Sequence, residues 1–365
     1  GRGDPLDLDE RVLLERVQMA AHGGRGQLQL PTDRLEMPDC SQRKSSRPEQ
    51  ASQHQRLASL QGGRLHTGFW QVDWRRKRAT MARGRRTMLD ILTRDATLVD
   101  GTGAAPRRAD VGVKDGLIVE VGSVSTPAAR VVDAGGRLVT PGFVDIHTHY
   151  DGQASWDPFL APTSLNGVTS IAMGNCGVGF APAKPDRHDW LIALLEGVED
   201  IPGTALAEGL TWDWESFPDY LDALGRRQYA MDVAAHLPHA ALRTYVMGER
   251  GANHLEHPDA GEIAEMARLT EQALAAGALG FSTSRTFVHK SRSGENIGTL
   301  EAGRAELLGI ADAMRRSGKG VIQLISDAYL TADDAFAERE LDLIAEMARA
   351  GGRPLSFTVQ QTDEA

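Results

Sequence analysis

Pro141-Gly142-Phe143-Val144-Asp145-Ile146-His147-Thr148-His149-Tyr150 runs an apolar stretch straight into a His-x-His pair. On a β-strand, residues two apart point to the same side. A strand here would aim His147 and His149 into one space at its C-terminal end. Neutral imidazole suits zinc and similar divalent ions. Two ordinary loop histidines are the alternative, and the pair alone does not decide between them.

The next segment narrows the choice. Gly167-Val168-Thr169-Ser170-Ile171-Ala172-Met173-Gly174-Asn175-Cys176-Gly177 is a second buried-strand pattern, β-branched and apolar residues bounded by glycines. It ends in a cysteine. A thiolate is a strong zinc ligand, although a lone cysteine can equally be a small buried hydrophobe. Two successive strands with a metal-competent residue at each tip describe the active face of a (β/α)8 barrel.

These residues also carry a family resemblance. Pro141 to His149 resembles the first barrel strand of the amidohydrolase superfamily. Gly174-Asn175-Cys176-Gly177-Val178-Gly179-Phe180-Ala181-Pro182 is similar to its N-acyl-D-amino-acid deacylase (D-aminoacylase) branch, in which a strand-2 cysteine stands where many relatives use a carbamylated lysine. The resemblance runs from about Met88 to Ala365. It implies a TIM-type barrel flanked by a small β-sandwich, and zinc on His147, His149 and Cys176. It implies amide hydrolysis of a small-molecule N-acyl amino acid. It further implies a metal-binding histidine on each of strands 5 and 6, and a strand-8 aspartate as general base.

Composition sets outer bounds. The 365 residues are 41% hydrophobic and 25% charged, enough for a large core in one or two domains. The net charge of −10 argues against general nucleic-acid binding. No run approaches a membrane-spanning length, and no secretory signal is readable. Cys40 and Cys176 show no disulfide framework, and a reducing cytoplasm suits a working thiolate. The oligomeric state has no signature.

The charge divides the chain. Residues 1–87 hold 17 Lys/Arg against 10 Asp/Glu, a balance of +7, and the remainder balances at −17. Rich in Gln, Gly, Ser and Arg, residues 1–87 read as a disordered basic extension. Residues 88–140 read as short strands with Asp-Gly turns, a half β-sandwich. From 141 to 365, strand and helix alternate, which implies an α/β parallel sheet. The strand candidates are Gly142 to His147, Thr169 to Cys176, Tyr229 to His236, Ala278 to Ser284, Gly320 to Ser326 and Pro354 to Gln361. A closed barrel needs eight strands, so about six make an incomplete one. The chain therefore reads as the N-terminal part of an amidohydrolase, with the family's general-base aspartate expected beyond Ala365.

Two departures from the family pattern stand out. The strand-5 tip, Val321-Ile322-Gln323-Leu324-Ile325-Ser326-Asp327, and the strand-6 tip, Phe357-Thr358-Val359-Gln360-Gln361, contain no histidine. A glutamine oxygen is a poor zinc ligand beside an imidazole, which favours one zinc ion over two. Arg285, Ser284 and His239 are candidate substrate contacts. A salt bridge is the alternative for Arg285, and a hydrogen-bonded structural role for His239. His236 has the same two readings as His239. Asp145 is expected to orient a neighbouring group. The function expected is metal-dependent N-acyl-D-amino-acid deacylation. Hydrolysis of a cyclic amide or another C–N bond stays open, as does a barrel-derived binding protein without catalysis.

Overall fold

A computed structural model describes residues 88–329 and 333–358. The expected disordered extension, residues 1–87, lies outside the described residues, as do the strand-6 glutamines Gln360 and Gln361. The described chain divides after Thr140 into two compact units.

The first unit is a five-stranded sheet. It comprises β1 (Leu89–Leu98), β2 (Arg107–Lys114), β3 (Leu117–Gly122), β4 (Ala128–Asp133) and β5 (Leu138–Val139). β1, β2 and β3 pair antiparallel, while β4 and β5 both pair parallel to β1. The β2–β3 hairpin turns on Asp115-Gly116, both with positive φ, as the Asp-Gly signal requires. Leu89, Leu92 and Val124 close one apolar cluster, and Leu98, Ala109 and Val111 a second. Val131 and Val139 belong to two separate strands, β4 and β5. Gly135 and Gly136, at φ 54° and 80°, turn the chain between β4 and β5.

The second unit is a six-stranded sheet, parallel throughout. Its strands are β6 (Phe143–Asp145), β7 (Val168–Met173), β8 (Asp232–Pro238), β9 (Gly280–Arg285), β10 (Val321–Ser326) and β11 (Leu355–Phe357), and their order in space is their order in the chain. The helices are α1 (His188–Glu199), α2 (Gly203–Gly209) and α3 (Phe217–Gly225) before β8, then α4 (His239–Met247) and α5 (Ala260–Ala276) before β9. α6 (Arg304–Ser317) and α7 (Asp334–Gly351) precede β10 and β11. Only 3-10 turns link β6 to β7.

Local chemistry accounts for the helix ends. The side chain of Asp259 accepts from the Glu262 amide while the Glu262 carboxylate caps the Asp259 amide, and Gly277 closes α5 at φ 119°. Ser216 and Asp219 build the same reciprocal box on α3. α5 turns Met266, Ala267, Thr270, Ala273 and Leu274 inward, a helical spacing. Met266, Met314 and Met347 are all buried core side chains. They pack in one cluster with Ile171 and Met173 of β7, Phe281 of β9, and Ile322 and Leu324 of β10. β9 is buried on both faces, as a strand inside a parallel sheet should be.

Several strand ends differ from the sequence reading. β6 stops at Asp145, so His147 and His149 lie beyond the strand. β7 stops at Met173 because Gly174 takes φ 73°, and Cys176 sits in a turn. β8 begins later than expected and ends at Pro238, so that His239 is the first residue of α4.

Candidate metal centre

The two histidines keep their common direction although the strand has ended. Thr148, between them, donates both its amide and its hydroxyl to the Ala172 carbonyl of β7, at 3.0 and 2.8 Å. Asn175 Nδ2 donates to the Thr148 carbonyl at 3.1 Å and to Ala172 O at 2.9 Å. Thr148 is thus fixed against β7, which places His147 and His149 side by side with ring centroids 5.4 Å apart. Asp145 Oδ1 accepts from the His147 amide at 3.3 Å.

Cys176 arrives from the neighbouring strand in a left-handed turn. Its φ is 55°, and Gly174 and Gly177 on either side have φ 73° and 68°. A Cβ on Gly174 would lie 2.5 Å from the His236 carbonyl oxygen, and one on Gly177 would lie 3.0 Å from Thr283 Cα. Both glycines are therefore required by backbone angle and by space. The turn hangs on β9 and β10. The Gly177 amide donates to Ser282 Oγ at 3.0 Å, Ser282 Oγ donates to Gly174 O, and the Cys176 amide donates to Gln323 Oε1 at 2.8 Å.

One potential donor atom from each of His147, His149 and Cys176 lies within 4.8 Å of the others. Among the described residues this is the only group of three or more His, Cys, Asp or Glu side chains that meets such a test. His147 Nε2 is 3.1 Å from Cys176 Sγ. The donor set fits zinc: two imidazoles and a sulfur, with Cys176 buried. His149 Nδ1 is buried and has no hydrogen-bond partner, a lone pair or proton that the protein itself leaves unanswered.

The electrostatics agree with a cation site. Burial, then the neighbouring His147 and His289, pushes His149 down to about 3. Burial also lowers His147, against the pull of Asp145. Both rings are thereby held neutral at neutral pH, the form that binds metal. Burial, followed by Glu199 and Asp151, pushes the Cys176 thiol far up, so a thiolate here needs a compensating cation.

Sequence reasoning missed several neighbours. Glu199, the last residue of α1, places Oε1 3.2 Å from His149 Nε2. Burial, then Asp151 and Asp200, raises it to about 7. Asp151 is buried, accepts from the Gly174 amide at 3.0 Å, and is raised by burial to about 7. The alternation His147, His149, Asp151 offered a signal for it. Glu199 offered none beyond an acid at a helix C-terminus. His236 and His289, both buried, are lowered to about 4, first by burial, and both feel His147.

The expected substrate contacts are engaged within the protein. Arg285 gives Nε and Nη2 to the two Glu340 oxygens at 2.7 and 2.6 Å and Nη1 to Ala302 O at 2.8 Å, so its fork is filled by a partly buried ion pair. His239 is fully buried, with Nδ1 2.8 Å from Thr283 Oγ1 and Nε2 3.0 Å from Glu306 Oε1, which leaves no ring nitrogen for a substrate. Ser284 Oγ lies 2.8 Å from His289 Nδ1. No described helix is long and apolar enough to cross a membrane.

The chain is similar to known proteins. It is 36% identical to a D-aminoacylase of Alcaligenes xylosoxydans xylosoxydans over 205 residues, which are 56% of this chain and 39% of the relative. A solved D-aminoacylase, studied for one-metal activation and second-metal attenuation of its binuclear metal centre, superposes with a TM-score of 0.58 at 29% identity, covering 73% of this chain and 50% of that one. An N-acyl-D-glutamate deacylase from Bordetella bronchiseptica, solved with zinc and a phosphonate mimic of the tetrahedral intermediate, superposes at 0.51 with 27% identity, covering 74% and 58%. The chain spans well under half the length of the curated relatives it matches. Residues 130–365 match the amidohydrolase family, and the chain belongs to it.

Proposed function

We propose that this amidohydrolase chain holds one zinc ion on His147, His149 and Cys176 and serves the hydrolysis of the amide bond in N-acyl-D-amino acids. The observation that carries the reading is the convergence of the three donors within 4.8 Å from two neighbouring segments of a parallel sheet. The deacylase relatives supply the substrate class. A sheet whose strands follow chain order is what a (β/α)8 barrel uses, and we assign the second unit to such a barrel and the first to a flanking β-sandwich. A thiolate ligand favours a reducing cytoplasm.

Zinc, when bound, would supply polarisation of the scissile carbonyl and an acidified water. The rest is the work of this chain. His147 and His149 stay neutral and so present lone pairs. Thr148 and Asn175 lock the two histidines to β7. Gln323 uses its oxygen on the Cys176 amide, which favours a single ion over two. Asp151 and Glu199, raised to about 7, can each hold or release a proton beside the centre in the neutral range. Arg285 and His239 are left out of the substrate site because their polar atoms are already paired.

Zinc content and turnover of N-acetyl-D-amino acids, measured together on the full-length gene product, test the proposal. Zinc with D-specific deacylation is the expected result. Zinc with turnover of cyclic amides alone would move the substrate class, and a protein with neither would return the chain to a binding role.

A further inference from the structure

We propose that His289 contacts the substrate beside the metal centre: its Nε2 hydrogen-bonds the scissile amide of an N-acyl amino acid, and Ser284 is the positioning residue that fixes the ring. The inference deepens the proposed function and rests on it.

Two independent routes through the structure bring His289 to the centre. The first runs along β9. Gly177, next to Cys176, lies so close to β9 that a Cβ on it would be 3.0 Å from Thr283 Cα and 3.2 Å from the Ser284 nitrogen. Ser284 therefore borders the turn that carries Cys176, and its Oγ lies 2.8 Å from His289 Nδ1. The second route runs through α1. His289 is the root of a hairpin: its carbonyl accepts the Ile297 amide at 3.3 Å, and Lys290 pairs with Asn296. This hairpin is seated on α1. The Arg292 amide donates to the Ala193 carbonyl at 2.9 Å, and Arg292 Nη1 donates to Glu196 Oε2 at 3.0 Å. A Cβ on Gly197 would lie 2.3 Å from the Lys290 carbonyl oxygen, so the close approach needs glycine. Two residues on, Glu199 reaches His149. His289 thus stands between the Cys176 turn and the end of α1 that meets His149.

The ring is only half committed. Ser284 holds Nδ1, while Nε2 has no hydrogen-bond partner among the described residues. Nor is Nε2 shut off from solvent, as His149 Nδ1 and His236 Nδ1 are. His239 shows the opposite case, a structural histidine with both nitrogens paired. His289 also lies outside the mutually close set of His147, His149 and Cys176, so it is placed beside the ligands and not among them. The electrostatics agree with this nearness. Burial first, and then His147 and His289, lower His149; burial lowers His289, with Asp327 opposing and His147 adding. An amide offers an N–H donor and a carbonyl acceptor side by side, so an imidazole nitrogen can meet it whether that nitrogen donates or accepts.

The test uses the zinc-loaded full-length gene product and a methylphosphonamidate of a D-amino acid, whose P–O and P–N–H groups stand for the scissile amide. His289→Ala should lower kcat on N-acetyl-D-amino acids about 100-fold, the usual cost of a lost transition-state hydrogen bond, with KM little changed. Calorimetry should show the phosphonamidate bound more weakly by a similar factor. Zinc content and affinity should stay at the wild-type values. Ser284→Ala should move kcat and analogue binding the same way by about tenfold, and His289→Gln, which keeps a polar side-chain nitrogen, should lie between His289→Ala and the wild type. A folded His289→Ala with wild-type kcat and analogue binding overturns the inference, and so does loss of zinc from it, which would make His289 a ligand. If His289→Ala does not fold, a crystal structure of the wild type with the phosphonamidate decides. Nε2 within about 3.2 Å of the P–O or P–N–H group supports the contact, and Nε2 turned away from the analogue overturns it. A wild type that binds no zinc, or leaves these substrates intact, removes the proposed function and this inference together. A wild type that does both, matched by His289→Ala, removes this inference alone.

Discussion

Gln323 Oε1 accepts the backbone amide of Cys176 at 2.8 Å, across 147 residues of chain. This bond ties the cysteine turn to β10, and Gln323 is 3% exposed. Gln323→Leu keeps the bulk and removes the acceptor. A buried amide left unpaired costs about 1–3 kcal/mol. Chemical denaturation of the variant should show a loss in that range, and unchanged stability would mean that the bond does not hold the turn.

Gly174→Ala is expected to be worse tolerated. The backbone angle is left-handed, and the new methyl would press on the His236 carbonyl of β8. A residue forced into such a conformation costs about 1–3 kcal/mol before any clash. A lowered melting temperature together with weaker metal binding is the expected pair of effects. A variant with both properties intact would contradict the tight approach of the turn to β8.

The buried ion pair behind β9 makes a separate prediction. Glu306 receives Arg243 Nη1 on both oxygens at 2.6 Å and also faces His239 Nε2. All three side chains are buried. Removing one member strands a buried charge, which costs about 3–5 kcal/mol. Glu306→Ala should lose that much in denaturant titration. A loss below 1 kcal/mol, roughly the value of a surface pair, would show that the network is solvated.

Acid should destabilise the metal-free chain through its buried histidines. His236 and His289 titrate at about 4 when folded, below the ordinary 6.5. Between these values the unfolded chain binds more protons, so stability rises with pH. Their contribution is present above about 6.5 and is lost as pH falls toward 4, at about 1 kcal/mol per pH unit for each group. Asp151 and Glu199, raised to about 7, slope the other way over part of the same range. The difference between wild type and His236→Gln isolates one histidine. Parallel stability curves from pH 4 to pH 7 would contradict its burial in the neutral form.

Much of this molecule was legible in its sequence. Apolar and β-branched runs located all six parallel strands, because buried strands leave such runs. α5 is legible in the helical spacing of Ile263, Met266, Ala267, Thr270 and Ala273, with Gly277 just past its end. His147, His149 and Cys176 stood out because their spacing is a local property, and the structure brings the three side chains together. What escaped were relationships across the sheet. Nothing near Arg285 announces Glu340, 55 residues on, and nothing near His239 announces Glu306. Residues free in a sequence proved to be paired in space. Glu199 was invisible for the converse reason, since its meaning comes only from His149, which a different segment supplies. The strand ends shifted at Gly174 and after Asp145 because tertiary hydrogen bonds, such as those of Thr148 to Ala172, carry the chain onward without a ladder.

Zinc stoichiometry and affinity of Cys176→Ala, set beside wild type on the same full-length protein, bear most directly on the metal centre. The wild type should bind about one zinc per chain, as a three-donor site with an open position does. Losing a ligand should cost more than the ten- to hundredfold that losing an outer partner costs, so the variant should bind zinc at least about tenfold more weakly. Equal zinc content and affinity in the two proteins would make Cys176 a buried core residue and would contradict the centre built on His147, His149 and Cys176.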